Sequence, residues 1–134
     1  MKINVASKEV IHFIGIGGIG MSGLAQIMNN MGFTVKGSDI STNKNIQRLV
    51  KSKIKVNIGH NKKNIKNATM IVVSSAIKNN NKEFVAAQIK KLPIIKRGEM
   101  LANVVALKKN IIITGSHGKT TTTSLIANIL VKAG

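Results

Sequence analysis

The sequence predicts an α/β fold: an open, mostly parallel, Rossmann-like sheet with helices on both faces. Three observations point there. Short runs rich in Ile and Val alternate with longer stretches of helical period along the chain. Two glycine-rich loops each join a strand run to a helix. The stretch Thr69-Met70-Ile71-Val72-Val73-Ser74 is apolar almost throughout, as a strand covered on both faces should be.

Residues 10–14 read as a first strand and 15–18 as a tight turn. A helix over 19–31 repeats Leu24, Ile27, Met28 and Met31 at three- and four-residue spacing, and Gly32 stops it. A second strand is expected over 33–38, a helix over 43–51, a third strand over 55–58 and a fourth over 69–74. Asn81 can cap a helix running to Lys91, because its side chain can accept from the first free N–H groups. Pro93 precedes a short strand at 94–95, and 99–107 is helical. A further strand at 110–114 and a last helix over 120–132 complete the series, so the second loop opens another α/β unit. The apolar residues Ile111, Ile112 and Ile113, and Leu125, Ile126, Ile129 and Leu130 on the helix, need partners in further sheet. Right-handed crossovers connect such parallel strands.

The charge balance is lopsided, with 21 Lys and Arg against four acids and a net charge of +17. That number alone suggests nucleic acid. The details oppose it: 19 of the 21 are Lys, and the three aromatics (Phe13, Phe33, Phe84) cannot form a stacking platform. The 21 Ile and 15 Asn share A/T-rich codons with Lys, so genomic base composition accounts for the bias. No specific nucleic-acid partner is expected. The absence of cysteine excludes a disulfide scaffold and thiolate metal sites, and it fits a reducing compartment. Lys8, Glu9 and the glycines break any secretory signal, and no run reaches the 18 apolar residues of a membrane span.

The first loop, Gly15-Ile16-Gly17-Gly18-Ile19-Gly20, matches G-x-G-x-x-G between a strand and a helix. Such glycines allow a tight turn and the close approach of a phosphate, and the helix N-terminus offers unpaired N–H groups. Asp39 ends the second strand, where its carboxylate can accept from ribose hydroxyls. A glycine turn needed only for packing, with Asp39 solvated, is the plainer alternative. Ser74 and Ser75 close the fourth strand at the carboxyl edge, where they face a ligand or form a turn. The second loop is Thr114-Gly115-Ser116-His117-Gly118-Lys119-Thr120-Thr121. Its N–H groups can wrap a triphosphate, Lys119 can neutralise the outer phosphates and the Thr120 hydroxyl can bind Mg²⁺. Ile113 stands where the common phosphate-loop pattern has its first glycine. His117 contacts phosphate or shapes this loop, His12 reads as a satisfied sheet residue and His60 as solvent-facing.

Together the two loops, with Gly37-Ser38-Asp39, Val72-Val73-Ser74-Ser75-Ala76-Ile77, Arg97-Gly98-Glu99-Met100-Leu101 and the run to Thr123, resemble the N-terminal part of the Mur ligases of peptidoglycan synthesis. Ser116 replaces the Thr more usual in that family and keeps the hydroxyl. The resemblance implies a cytoplasmic, ATP- and Mg²⁺-dependent ligase joining L-alanine to the carboxylate of UDP-N-acetylmuramate through an acyl phosphate. It implies a UDP-sugar-binding domain over 1–107 and the start of the ATP-binding domain over 108–134. Gly15, Gly17, Gly18, Ile19, Gly20, Ser38, Asp39, Ser74 and Ser75 would line the UDP site. Gly115, Ser116, His117, Gly118, Lys119, Thr120 and Thr121 would hold ATP, with Lys119 catalytic and Thr120 on the metal. It further implies that these 134 residues correspond to a part of the enzyme and do not turn over alone. A ligase adding a peptide to the same nucleotide, a nicotinamide-dependent dehydrogenase and a non-catalytic nucleotide-sensing module are the alternatives. The dehydrogenase leaves the second loop unexplained.

Overall fold

Five parallel strands build the sheet in the order β3-β2-β1-β4-β5 in a computed structural model that describes residues 8–115. The strands are β1 (Val10–Ile14), β2 (Thr34–Asp39), β3 (Lys55–Ile58), β4 (Met70–Val73) and β5 (Ile94–Lys96). Helix α1 (Met21–Asn30) joins β1 to β2, and α2 (Lys44–Lys51) joins β2 to β3. Between β3 and β4 the chain crosses to the far side of β1 with only a 3₁₀ turn, Lys62–Ile65. Helix α3 (Lys82–Ile89) joins β4 to β5, and α4 (Arg97–Gly115) follows.

Alternation along the central strands sorts the core into two layers. On β1, Ile11 and Phe13 pack with Leu24, Met28, Met100 and Val104 on the α1 and α4 side. Ile14 joins Ile65, Ile71 and Ala87 on the α3 side. β4 alternates likewise, and all four of its residues are buried. Asn43 and Asn81 cap α2 and α3, the Asn81 side chain accepting from the N–H groups of Glu83 and Phe84 at 2.9 and 3.1 Å.

The expected strand at 110–114 is not formed: α4 continues through those residues to Gly115. No neighbouring strand among the described residues offers a ladder at that point. A lone strand would leave a row of unpaired N–H and C=O groups, whereas each further helical residue closes its bonds within the helix. The expected helix over 120–132 lies outside the described residues. No helix among the described residues is long and apolar enough to cross a membrane.

Gly37 lets the chain leaving β1 fold back over β2. A Cβ there would stand 2.5 Å from Ile16 Cδ1 and 2.8 Å from the Phe13 carbonyl oxygen. Ile16 and Phe13 are fully buried and cannot retreat. Gly37→Ala should therefore cost about 1–3 kcal/mol of stability, measured by chemical denaturation. An unchanged denaturation midpoint would refute this packing.

Candidate functional site

The strand order reverses direction between β1 and β4, and in open α/β sheets that switch point at the carboxyl edge is where ligands bind. The loop from Gly15 to Gly20 stands over it. The N–H groups of Gly15 and Ile16 both donate to the Ser38 carbonyl, at 2.9 and 3.0 Å. The Gly17 N–H donates to Asp39 Oδ2 at 2.8 Å, and the Gly18 N–H to the Gly15 carbonyl at 3.2 Å. The side-chain amides of Asn43 and Asn45 hold the Gly17 carbonyl, each at 3.1 Å. The first four N–H groups of the loop therefore shape the loop itself. Among the described residues, nothing accepts the N–H groups of Ile19, Gly20 or Met21 at the start of α1, which has no side-chain cap. Together with the Gly23 N–H, which likewise has no acceptor among the described residues, those are the donors left for an anion.

A cleft of about 380 Å³ opens at the switch point, lined by Gly15, Gly18, Asp39, His60, Ser74 and Asn81 among others. A second, of about 520 Å³, includes Ser74, Ser75, Lys96 and Arg97 and shares Ser74 and Ile77 with the first. Of the residues expected at a UDP site, Gly15, Gly18, Asp39 and Ser74 line the first cleft and Ser75 the second. Gly17 is buried beneath them, and Ile19 is almost wholly exposed. Asp39 is half-buried, with Oδ2 on the Gly17 N–H and Oδ1 on the Ile40 N–H, so it holds the loop while facing the cleft. Ser38 differs from expectation. Its side chain points into the protein, and only its carbonyl serves the loop.

The Ser38 hydroxyl meets a carboxylate that motif reading misses. Glu83, fully buried near the start of α3, accepts from Ser38 Oγ at 2.6 Å and His12 Nε2 at 2.6 Å. Its other oxygen accepts from His60 Nδ1 at 3.0 Å, Asn64 Nδ2 at 2.9 Å and the Asn61 N–H at 3.1 Å. His60 is thus a bound, mostly buried side chain instead of a solvent-facing one, with a flank on the first cleft. The only sequence signal was a lone acid two positions after the Asn81 cap. Burial pushes the Glu83 carboxyl up, but the hydrogen bonds from His12, Ser38 and Asn64 outweigh it and hold the pKa at about 2. Burial lowers the His12 pKa, and Glu83 opposes that only in part. An ionised carboxylate only accepts, so neutral His12 carries its proton on Nε2. Its buried Nδ1, which has no hydrogen-bond partner among the described residues, is then a lone pair instead of a stranded N–H. No cluster of three His, Cys, Asp or Glu side chains among the described residues could hold a metal ion.

Of the second loop, Gly115 ends α4, and Ser116, His117, Gly118, Lys119, Thr120 and Thr121 lie outside the described residues.

The fold is an open, Rossmann-like α/β unit with clefts at its switch point. Comparison with known proteins narrows the class. Residues 10–109 match the model of the Mur ligase family, catalytic domain. The chain is 67% identical over 132 residues to a UDP-N-acetylmuramate–L-alanine ligase of Pelagibacter ubique, covering 98% of the chain and 28% of that enzyme. The UDP-N-acetylmuramate-alanine ligase structure from Thermotoga maritima superposes with a TM-score of 0.71 at 31% identity, covering 74% of this chain and 23% of that one. A ligase of UDP-N-acetylmuramate and a diaminopimelate-containing peptide from Neisseria follows at 0.69 and 29%, covering 75% and 32%. The chain belongs to the Mur ligase family. It spans little more than a quarter of the length of the curated relatives it matches.

The buried cluster makes stability depend on pH. Glu83 titrates near 4.5 when unfolded and at about 2 when folded, so its contribution is complete above the higher value and is lost as pH falls between them. His12 acts in the same direction, because below its ordinary 6.5 the unfolded chain takes up a proton that the folded chain resists. The thermal midpoint should fall steadily as pH is lowered from 7 to 3. Glu83→Gln, which points an amide donor at other donors, should cost about 1–3 kcal/mol at pH 7 and flatten the acid limb. A variant with the same midpoint and the same limb would remove Glu83 from this role.

Proposed function

We propose that this chain forms the uridine-nucleotide-binding unit of an enzyme that joins L-alanine to the carboxylate of UDP-N-acetylmuramate in peptidoglycan synthesis. The reading places the unit in the cytoplasm, in an ATP- and Mg²⁺-dependent ligation through an acyl phosphate. ATP belongs to residues 115–121, with Lys119 on the transferred phosphoryl group and Thr120 on the metal. The uridine unit ends near residue 107 and the ATP-binding domain starts near 108.

One observation supports the nucleotide assignment most. Asp39 and Gly18 line the cleft at the β1–β4 switch point, and the uncommitted N–H groups of Ile19, Gly20 and Met21 follow Gly18 directly in the chain. A nucleoside diphosphate needs that pair of functions, a carboxylate for the ribose and N–H donors for the phosphates. The choice of L-alanine over a peptide as second substrate rests on the 67% identity to an alanine ligase, since the two solved relatives are nearly equal in likeness.

Calorimetric titration tests the reading. UDP and UDP-N-acetylmuramate should bind and NADH should not, while Asp39→Ala should weaken uridine-nucleotide binding by about 1–2 kcal/mol. Tight NADH binding without a uridine response would replace the ligase reading with a dehydrogenase one.

A further inference from the structure

The second cleft holds a cation that neither motif includes. Arg97, the first residue of α4, follows directly on β5 at the carboxyl edge and lines the cleft beside Lys96, Ser74 and Ser75. Its side chain lies across Gly20. A Cβ built on Gly20 would stand 3.1 Å from Arg97 Cδ, 3.2 Å from Nη1 and 3.3 Å from Cζ. Gly20 also has φ +82°, a left-handed conformation that side chains rarely adopt. The bare backbone at this position thus lets a guanidinium settle on the start of α1, beside the free N–H groups of Ile19, Gly20 and Met21.

The guanidinium is half-buried, and no hydrogen bond or ion pair engages it among the described residues. Glu99 lines the same cleft but forms no ion pair with it. A planar cation held in place by packing, without a counter-ion and next to three backbone donors, is suited to an oxyanion with several acceptor atoms. We infer that Arg97 clamps the diphosphate of the bound nucleotide against the N-terminus of α1, a specificity-determining contact shared with the Ile19–Met21 N–H groups. The inference rests on the uridine-nucleotide reading and adds to it the residue that meets the phosphate charge.

The experiment is calorimetry on the 134-residue chain with uridine, UDP, UDP-N-acetylglucosamine and UDP-N-acetylmuramate, comparing wild type, Arg97→Ala and Arg97→Lys. Lys51→Ala, which removes an exposed charge on α2, controls for the general positive field. Arg97→Ala should weaken all three diphosphates by about tenfold or more and leave uridine unchanged. Arg97→Lys should lie between, and Lys51→Ala should match wild type. Unaltered UDP binding by Arg97→Ala with wild-type circular dichroism would overturn the clamp. A loss confined to UDP-N-acetylmuramate, whose sugar alone carries a carboxylate, would overturn the diphosphate assignment and move Arg97 to that carboxylate. If Arg97→Ala fails to fold, Arg97→Lys decides, because equal UDP affinity there contradicts a two-pronged contact. Wild type that binds no uridine nucleotide would refute the underlying reading itself.

Discussion

Glu83, on α3, ties together the part of its sheet face where the β3–β4 crossover brings no helix. In a doubly wound sheet each crossover normally brings a helix to pack on a face. Between β3 and β4 this chain has only the turn Lys62–Ile65, so on the face that α3 covers, His12 of β1 and Ser38 of β2 meet polar groups where a second helix would stand. One buried carboxylate closes the gap by accepting from both side chains and from the segment after β3. Five donors on two oxygens explain why a charge can stay buried there. They also explain why His12 must be neutral, since protonation would strand a buried N–H on Nδ1.

The glycine loop inherits its shape from the same place. Ser38 gives its hydroxyl to Glu83 and its carbonyl to the N–H groups of Gly15 and Ile16, so one residue ties the loop to the buried cluster. Asp39 then fixes Gly17, and Asn43 and Asn45 fix the Gly17 carbonyl from the other side. With Gly15 to Gly18 committed to the scaffold, the loop offers a ligand its last residues and the first turn of α1. A loop held by its own hydrogen bonds in this way would lower the ordering cost of binding a ligand.

What was legible in the sequence were the features set by local chemistry. The strands of β1 and β4, the Asn81 cap and the glycine loop follow from alternation, capping and turn geometry, which neighbouring residues decide. Glu83 was hidden because its partners come from positions 12, 38, 60, 61 and 64, and no spacing along the chain announces a site assembled from four segments. The Ser38 and His60 side chains differ from expectation for the same reason: strand parity shows which face a residue occupies, not whether a carboxylate waits there. At 110–114 the β-branched run carries strand propensity, but a strand exists only with a neighbour to pair with, and α4 supplies the alternative.

The chain has so few acids that the placement of each is informative. Glu83 is buried in its cluster, Asp39 holds the glycine loop, and Glu9 accepts from the Thr69 hydroxyl beside the start of β1. Structural tasks thus occupy three of the four acids, while most lysines of the described region stand exposed without ion pairs. A field of that sign attracts any polyanion at low ionic strength, and salt screens most of it beyond about 8–10 Å. Selectivity for one phosphate compound must therefore arise where the field is structured instead of merely strong. The carboxyl edge is that place: a guanidinium packed on Gly20 at the start of α1 and the Asp39 carboxylate put both signs of charge at set positions in two adjoining clefts. A carboxylate in that row repels phosphate and accepts hydroxyls, so under the proposed reading a nucleoside diphosphate would lie with its ribose toward β2 and its phosphates toward α1.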